Sequence, residues 1–199
     1  MAVRRQVLNS LMIRYIGSAA LSSFQASDCL FSVFWAIPLG MAAVGRMMMS
    51  VAVGEEDRQS LKDIVKLLLT KCMLAEFGVI TVLILCAVPF THIFYRDPSE
   101  LIYQMTLTGF RVIPFAMPLG LICQTALNYG QVTKKQLLVH TEAALDGAVV
   151  ICVSAVFLVP AFGMNGVYAS VILNGIVTAV YPLIYSIIYN RRFPKNMDQ

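Results

Sequence analysis

Pro38-Leu39-Gly40-Met41-Ala42-Ala43-Val44-Gly45-Arg46-Met47-Met48-Met49-Ser50-Val51-Ala52-Val53 runs into Gly54-Glu55-Glu56-Asp57-Arg58 and then Gln59-Ser60-Leu61-Lys62. An apolar run rich in small residues reaches a glycine and meets three acids and a base. A second apolar run starts within about ten residues. Such a pattern is a helical hairpin in a membrane seen from its polar end, because a spanning helix needs about 20 mostly apolar residues before a polar turn.

The bulk composition agrees. Of 199 residues, 58% are hydrophobic and 13% charged, and the mean hydropathy is +0.74. Soluble domains carry about 25% charged residues, so too little polar sequence is present to cover a soluble fold of this length. The net charge of +4 comes from short basic clusters between apolar runs, which reads as orientation charge and not as a nucleic-acid footprint. Cys29, Cys72, Cys86, Cys123 and Cys152 all lie in apolar runs without a CxxC pair, so they read as buried small hydrophobes.

Working outward, five spans are expected at about 19–53, 61–94, 100–129, 136–159 and 167–189. The fold class is all-α, a polytopic membrane helix bundle. The span at 19–53 is long, and its first part is expected at the interface or as a short bend, with Pro38 and Gly40 allowing a kink. Residues 1–17 are too short and too charged to span, with Arg4, Arg5 and Arg14 bracketing the apolar part. Arg14 also breaks a signal-peptide pattern. Asp97-Pro98-Ser99-Glu100 reads as an N-cap ahead of the third span.

The turns near 54–62 and 130–136 and the tail 191–199 fall on one side of five spans. They carry Arg58, Lys62, Lys134, Lys135, Arg191, Arg192 and Lys195, against Arg96 alone in the two opposite loops. The positive-inside rule then places the basic side and the C-terminus in the cytoplasm. Tyr95 and Tyr103 would mark one interface, and Tyr129, Tyr185 and Tyr189 the other. Arg4 and Arg5 fall on the wrong side, which a further span upstream of residue 1 would resolve.

Ionisable groups inside hydrocarbon cost about 2.5–3.5 kcal/mol on insertion scales and default to functional readings. Glu142 and Asp146 lie at i, i+4 on one helix face, with Asp146 roughly 15 Å beyond Lys135, near mid-bilayer. Two acids facing one cavity favour capture of a proton or cation, and His140 is near enough to join. The alternative is Glu142 at the headgroup edge and Asp146 paired with Arg111 or a backbone group. Asp28, beside Gln25 and Ser27, reads as a solvated helix end or a water-filled mouth. Glu76, five residues from Lys71, reads as an interhelical or snorkelling salt bridge, Arg111 mainly as structural, and Met47-Met48-Met49 as a soft apolar cluster for core packing or promiscuous drug contact. Asn128, Asn165, Asn174 and Gln124 are expected to bond across helices. Neither a nucleophilic triad nor a zinc spacing is present, and no cofactor is expected.

With the turns in place, several short motifs follow in one order: Tyr15-Ile-Gly17; Pro38-Leu-Gly40 with Gly54-Glu-Glu-Asp57; Phe110-Arg-Val-Ile-Pro114 with Pro118-Leu-Gly120; Gly130-Gln-Val-Thr-Lys134; and Phe162-Gly-Met-Asn-Gly166-Val-Tyr-Ala169. Over about residues 7–190 this resembles the C-terminal half of a multidrug and toxic compound extrusion (MATE) transporter. The resemblance implies one lobe of a twelve-helix protein, residues 1–17 being the remnant of a truncated first helix. It implies antiport of cationic or amphipathic small molecules against sodium ions or protons. Partners would be the bilayer, a small-molecule substrate and a missing N-terminal lobe or second half-transporter, with no nucleic acid. Related flippases of lipid-linked sugars share the architecture, and a truncated relic or, more remotely, an intramembrane enzyme or accessory subunit would also fit. The family's coupling carboxylates do not carry over. One lies on the first helix of the absent lobe, others on the first and fourth helices of the second lobe. Here the first is truncated, and no Asp or Glu lies between Leu101 and Tyr129.

Overall fold

The computed structural model describes residues 2–192, without the side chains of 2, 3, 148 and 189–192. The tail 193–199 with Lys195, and the side chains of Tyr189, Arg191 and Arg192, lie outside the described residues. Every described element is helical. We number them α1 (Ala2–Tyr15), α2 (Ser18–Gly54), α3 (Arg58–Leu85), α4 (Ala87–Phe94), α5 (Leu101–Val132), α6 (Gln136–Phe162) and α7 (Met164–Arg192). Helices prevail because hydrocarbon offers no water, so each backbone group must be satisfied within its own segment. Five helices are long and apolar enough to cross a membrane: α2, α3, α5, α6 and the Met164–Ile188 part of α7.

Three of the bends obey one rule. The ring of a proline clashes with the carbonyl four residues earlier and removes one amide donor. Accordingly α2 is interrupted at Trp35, three residues before Pro38. The Cys86 break between α3 and α4 stands three before Pro89. Within α5 the chain tightens into a 3₁₀ turn at Ile113–Phe115, ending three before Pro118. The first part of α2 is set off from the rest by the break at Trp35. It packs against the first half of α5, while the part after Trp35 packs against the second half.

The centre of the lobe is α5, whose most apolar window is 56% buried against 17–24% for the other spans. Around it, α7 packs on α6, and the short α1 lies against the second half of α6 and against α2. Leu8 and Met12 of α1 join Ile113, Ile151, Ala155, Val159 and Val167 in the main apolar core. Close approach depends on small residues, as expected where lipid supplies no hydrophobic drive between helices. Trp35 sits on Gly120, and Leu68 on Gly45. Gly109 lies against Ser27 and Tyr168, so an added Cβ would meet Ser27 Oγ at 2.6 Å. Hydrogen bonds tie the same junction: Tyr168 donates to the Met105 carbonyl at 2.7 Å, and the Thr106 hydroxyl reaches Ser23 Oγ at 3.1 Å. Asn128 of α5 donates to the Ala42 carbonyl of α2 at 2.9 Å.

The loops differ in detail from the expected caps. Asp97 does not cap α5; it folds onto Ser99, accepting from its amide at 2.9 Å, and Glu100 takes the cap position without a side-chain bond. Tyr103 is buried against His92 at 3.3 Å instead of marking an interface. Asp57 does cap α3, accepting from the Gln59 and Ser60 amides at 3.0 Å each. The Ser60 hydroxyl first, and the Ser60 and Gln59 amides with it, hold its carboxyl below the usual carboxylate range. A lowered folded-state value means the cap contributes fully above the ordinary carboxylate pKa and fades as pH falls through the lower one. Asp57→Ala is therefore expected to speed hydrogen exchange at Gln59 and Ser60 at neutral pH. Identical exchange in the variant would show that the cap adds nothing.

Candidate functional site

Helix α6 carries the acid pair, and its backbone widens there into a π-helical turn at Leu145–Val149. Such turns insert an extra residue and recur at functional sites. Glu142, just before the turn, has no exposed surface, and both of its carboxylate oxygens are buried without a hydrogen-bond partner. Asp146, inside the turn, is half-buried and accepts from Asn174 Nδ2 of α7 at 3.2 Å. It is not the partner of Arg111, which is exposed on α5.

Two neighbours complete the cluster. The thiol of Cys123, on α5, stands beside Glu142 and feels both acids, and the Thr178 hydroxyl of α7 approaches the same sulfur. The contact between thiol and Glu142 is too loose to satisfy either carboxylate oxygen. Thr178 in turn donates to the Asn174 carbonyl at 2.9 Å. The Asn174 side-chain oxygen is also buried and unpartnered. Three helices thus bring two acids, an amide, a hydroxyl and a thiol together, with three acceptor oxygens left open. A buried acceptor without a partner is costly, and oxygen acceptors are what a proton or a hard cation needs. Among the described residues no three His, Cys, Asp or Glu side chains converge as a metal site.

The remaining sequence candidates lie elsewhere. His140 is exposed while Glu142 is buried, so it does not join the acids. Glu76 on α3 has no exposed surface and no hydrogen-bond partner. It does not bridge to Lys71, which is exposed. A second π-helical turn, Leu68–Cys72, ends four residues before it, so each π turn adjoins an unpartnered buried acid. Asp28 is not a solvated helix end: it pairs with Arg5 of α1 at 2.8 Å. Cys123 and Thr178 carried no site signal in sequence, because each joins the acids only through the contact between helices, and Arg5 stood out only as a base on the wrong side of the spans.

No curated protein matches the sequence. Among solved structures, the chain is similar to an outward-facing multidrug resistance MATE family transporter of the MOP superfamily, with TM-score 0.84 and 17% identity. That match covers 94% of this chain and 42% of the transporter. It is also similar to a MATE crystallised in complex with MaL6, with TM-score 0.83 and 18% identity over 95% of this chain and 43% of that one. The chain therefore spans under half the length of the solved transporters it matches. The sequence itself matches the MatE family over residues 2–141, from α1 into the helix that carries the acids. With that match running through more than half of a chain whose helices overlay a solved lobe, the protein belongs to the MatE family.

Proposed function

We infer that this chain forms one lobe of a secondary transporter that exports cationic or amphipathic small molecules in exchange for sodium ions or protons. Export would proceed by alternating access about a cleft between this lobe and a second one. The observation that carries the reading is the acid cluster. Glu142 and Asp146 are held together at the seam of α5, α6 and α7, with open acceptor oxygens. A proton or cation bound there changes the charge of the seam and so biases how three packed helices sit. The bases at and beside the turns on that side, Arg58, Lys62, Lys134 and Lys135, support a cytoplasmic placement of that end in the cell membrane.

The test is ion-driven export of a fluorescent dye from vesicles that hold the assembled transporter containing this lobe. Asp146→Asn keeps the Asn174 contact geometry but removes the charge. It is expected to abolish gradient-driven export, a fall of about 100-fold or more if the coupling ion loses an ionic ligand worth about 3 kcal/mol. Normal export by the variant would remove Asp146 from the mechanism. Movement of a labelled lipid-linked sugar without dye export would favour the flippase reading instead.

A further inference from the structure

Glu76 stands in the middle of α3, about nine residues from Leu67 and from Leu85, roughly 14 Å along the helix each way. A hydrocarbon core is about 30 Å thick, so the residue lies near mid-membrane. Contacts on either side fix the face it occupies. About two turns earlier, Leu68 presses on Gly45 of α2. Two turns later, Leu83 shares a small apolar gap with Phe34 of α2 and with Gly109 and Ile113 of α5. Glu76 therefore faces the seam of α3 with α2 and α5, at the height of the Pro38 bend.

No charge answers the carboxyl there. On α3, Lys71 is exposed, Lys62, Asp63 and Lys66 stand in the first turns, and Cys86 lies past the other end. On α2, Arg46 and Cys29 are exposed, and Asp28 is paired with Arg5. On α5, Arg111 is exposed, Cys123 stands with the acid pair, Tyr103 meets His92 of α4, and Tyr129 lies under Lys135. The half-buried Cys72 thiol, one turn earlier in the π turn, is the neighbour that senses Glu76. A carboxylate in such a dry seam loses its water and gains nothing in return, so the group is held as the neutral acid.

The same facts name the ligand. A metal cation needs several oxygen ligands, yet both Glu76 oxygens are without a partner. Nor has the residue any exposed surface through which a hydrated ion could enter. A proton needs one oxygen and no room. We propose that Glu76 is a proton-binding site in its own right, which seats the middle of α3 on α2 and α5 when it is filled. On release the carboxyl O–H bond breaks, the proton passes to water at the Cys72 end, and the oxygen keeps the electron pair. The carboxylate then needs water, so α3 must part from the seam. The π turn, already out of α-helical register, is where it yields. This site reaches α5 from α3, whereas the acid pair reaches it from α6. It goes beyond the transport reading and stands without it, needing neither an ion gradient nor a second lobe.

The test uses the full chain in phosphatidylcholine nanodiscs, with infrared spectra recorded from mildly acid to alkaline pH. The carbonyl stretch of a protonated carboxyl is separate from the bands of a carboxylate, and it is visible however deeply the group is buried. At neutral pH, Glu76→Gln is expected to lack one such band that the parent and Glu142→Gln both retain. In the parent that band should fade as pH rises. Alkylation of Cys72 by N-ethylmaleimide, read on its own peptide by mass spectrometry, should then climb several-fold more in the parent than in Glu76→Gln, which cannot ionise. A purely electrostatic effect gives the opposite sign, since a neighbouring anion opposes thiolate formation. Glu76→Met takes the place of Glu76→Gln if the latter does not elute as the parent does. None of these readouts involves export, so the transport reading can fail without them. An unchanged band in the variants, a band that survives at every pH at which the protein stays folded, or equal Cys72 profiles would overturn the proposal.

Discussion

Gly166→Val is expected to leave no folded lobe. Gly166 lies in the first turn of α7, where the chain reverses after Gly163 and the backbone of α7 presses on the end of α6. A Cβ there would overlap the Leu158 carbonyl and stand 2.9 Å from the Val159 amide nitrogen. Both obstacles are backbone, so no rotamer can relieve them. Overpacking a core typically costs about 1–3 kcal/mol, and a rigid backbone obstacle puts this site at or beyond the top of that range. The α6–α7 pairing carries Val159, Met164, Val167 and Tyr168 of the main core, so prising it open exposes much of what holds the lobe. The measurement is size-exclusion elution of the detergent-solubilised variant with its thermal midpoint. Gly78→Ala is the control, since a Cβ at Gly78 meets nothing within 4 Å and alanine favours a helix interior by up to about 1 kcal/mol. A monodisperse Gly166→Val protein with the parent's midpoint would show that the contact yields.

That glycine also shows how much of the fold was legible in sequence. Phe162-Gly163-Met164-Asn165-Gly166 reads as a short uncharged turn between spans, and its place in an ordered series of motifs reveals the family. Why the second glycine must be glycine is invisible until α6 and α7 are packed. The spans follow from composition alone, because about 20 apolar residues in a row have few other fates. Their breaks were half legible. Pro38 marks a kink, but the chain bends at Trp35, since a proline acts on the turn that precedes it.

The candidate site divides in the same way. Glu142 and Asp146 announce themselves as charges in an apolar run, and Asn174 as a polar residue that must bond across helices. Their shared seam with Cys123 and Thr178 depends on how α5, α6 and α7 rotate about one another, which periodicity does not set. The surroundings of Asp28 and Glu76 were not legible for a related reason. Spacing along one helix proposes Lys71 for Glu76, and a helix end open to water for Asp28. The structure decides both across helices, burying Glu76 alone and giving Asp28 to Arg5. For ionisable groups in a membrane, neighbours on other helices outrank neighbours in sequence.

Glu142→Met is expected to make the lobe more stable and the transporter inactive. A methionine side chain is larger than a glutamate's by about one methylene but adapts its shape to irregular gaps, so the core need move little. What changes is polarity. Both Glu142 oxygens are buried without a partner, and each unsatisfied buried polar group costs about 1–3 kcal/mol. Removing such a group in favour of an apolar one of similar size is neutral or stabilising, and here a gain of about 1–3 kcal/mol is expected, read as a raised thermal midpoint in detergent. Were Glu142 a structural acid whose bonds hold α6 to α5, the same change would lower the midpoint, so the sign alone separates the two roles. Export should respond in the opposite direction. Methionine can hold neither a proton nor a cation at that point, so gradient-driven dye export is expected to be lost even as the protein melts later. Glu142→Gln completes the comparison, because it keeps hydrogen-bonding capacity but loses the titration, and should lose export without the full gain in midpoint. A polar acid kept in a dry seam at a cost in stability, where an apolar residue would pack better, is the mark of a group retained for what it binds. Coincident loss of midpoint and export in Glu142→Met would instead assign it to the architecture of the seam.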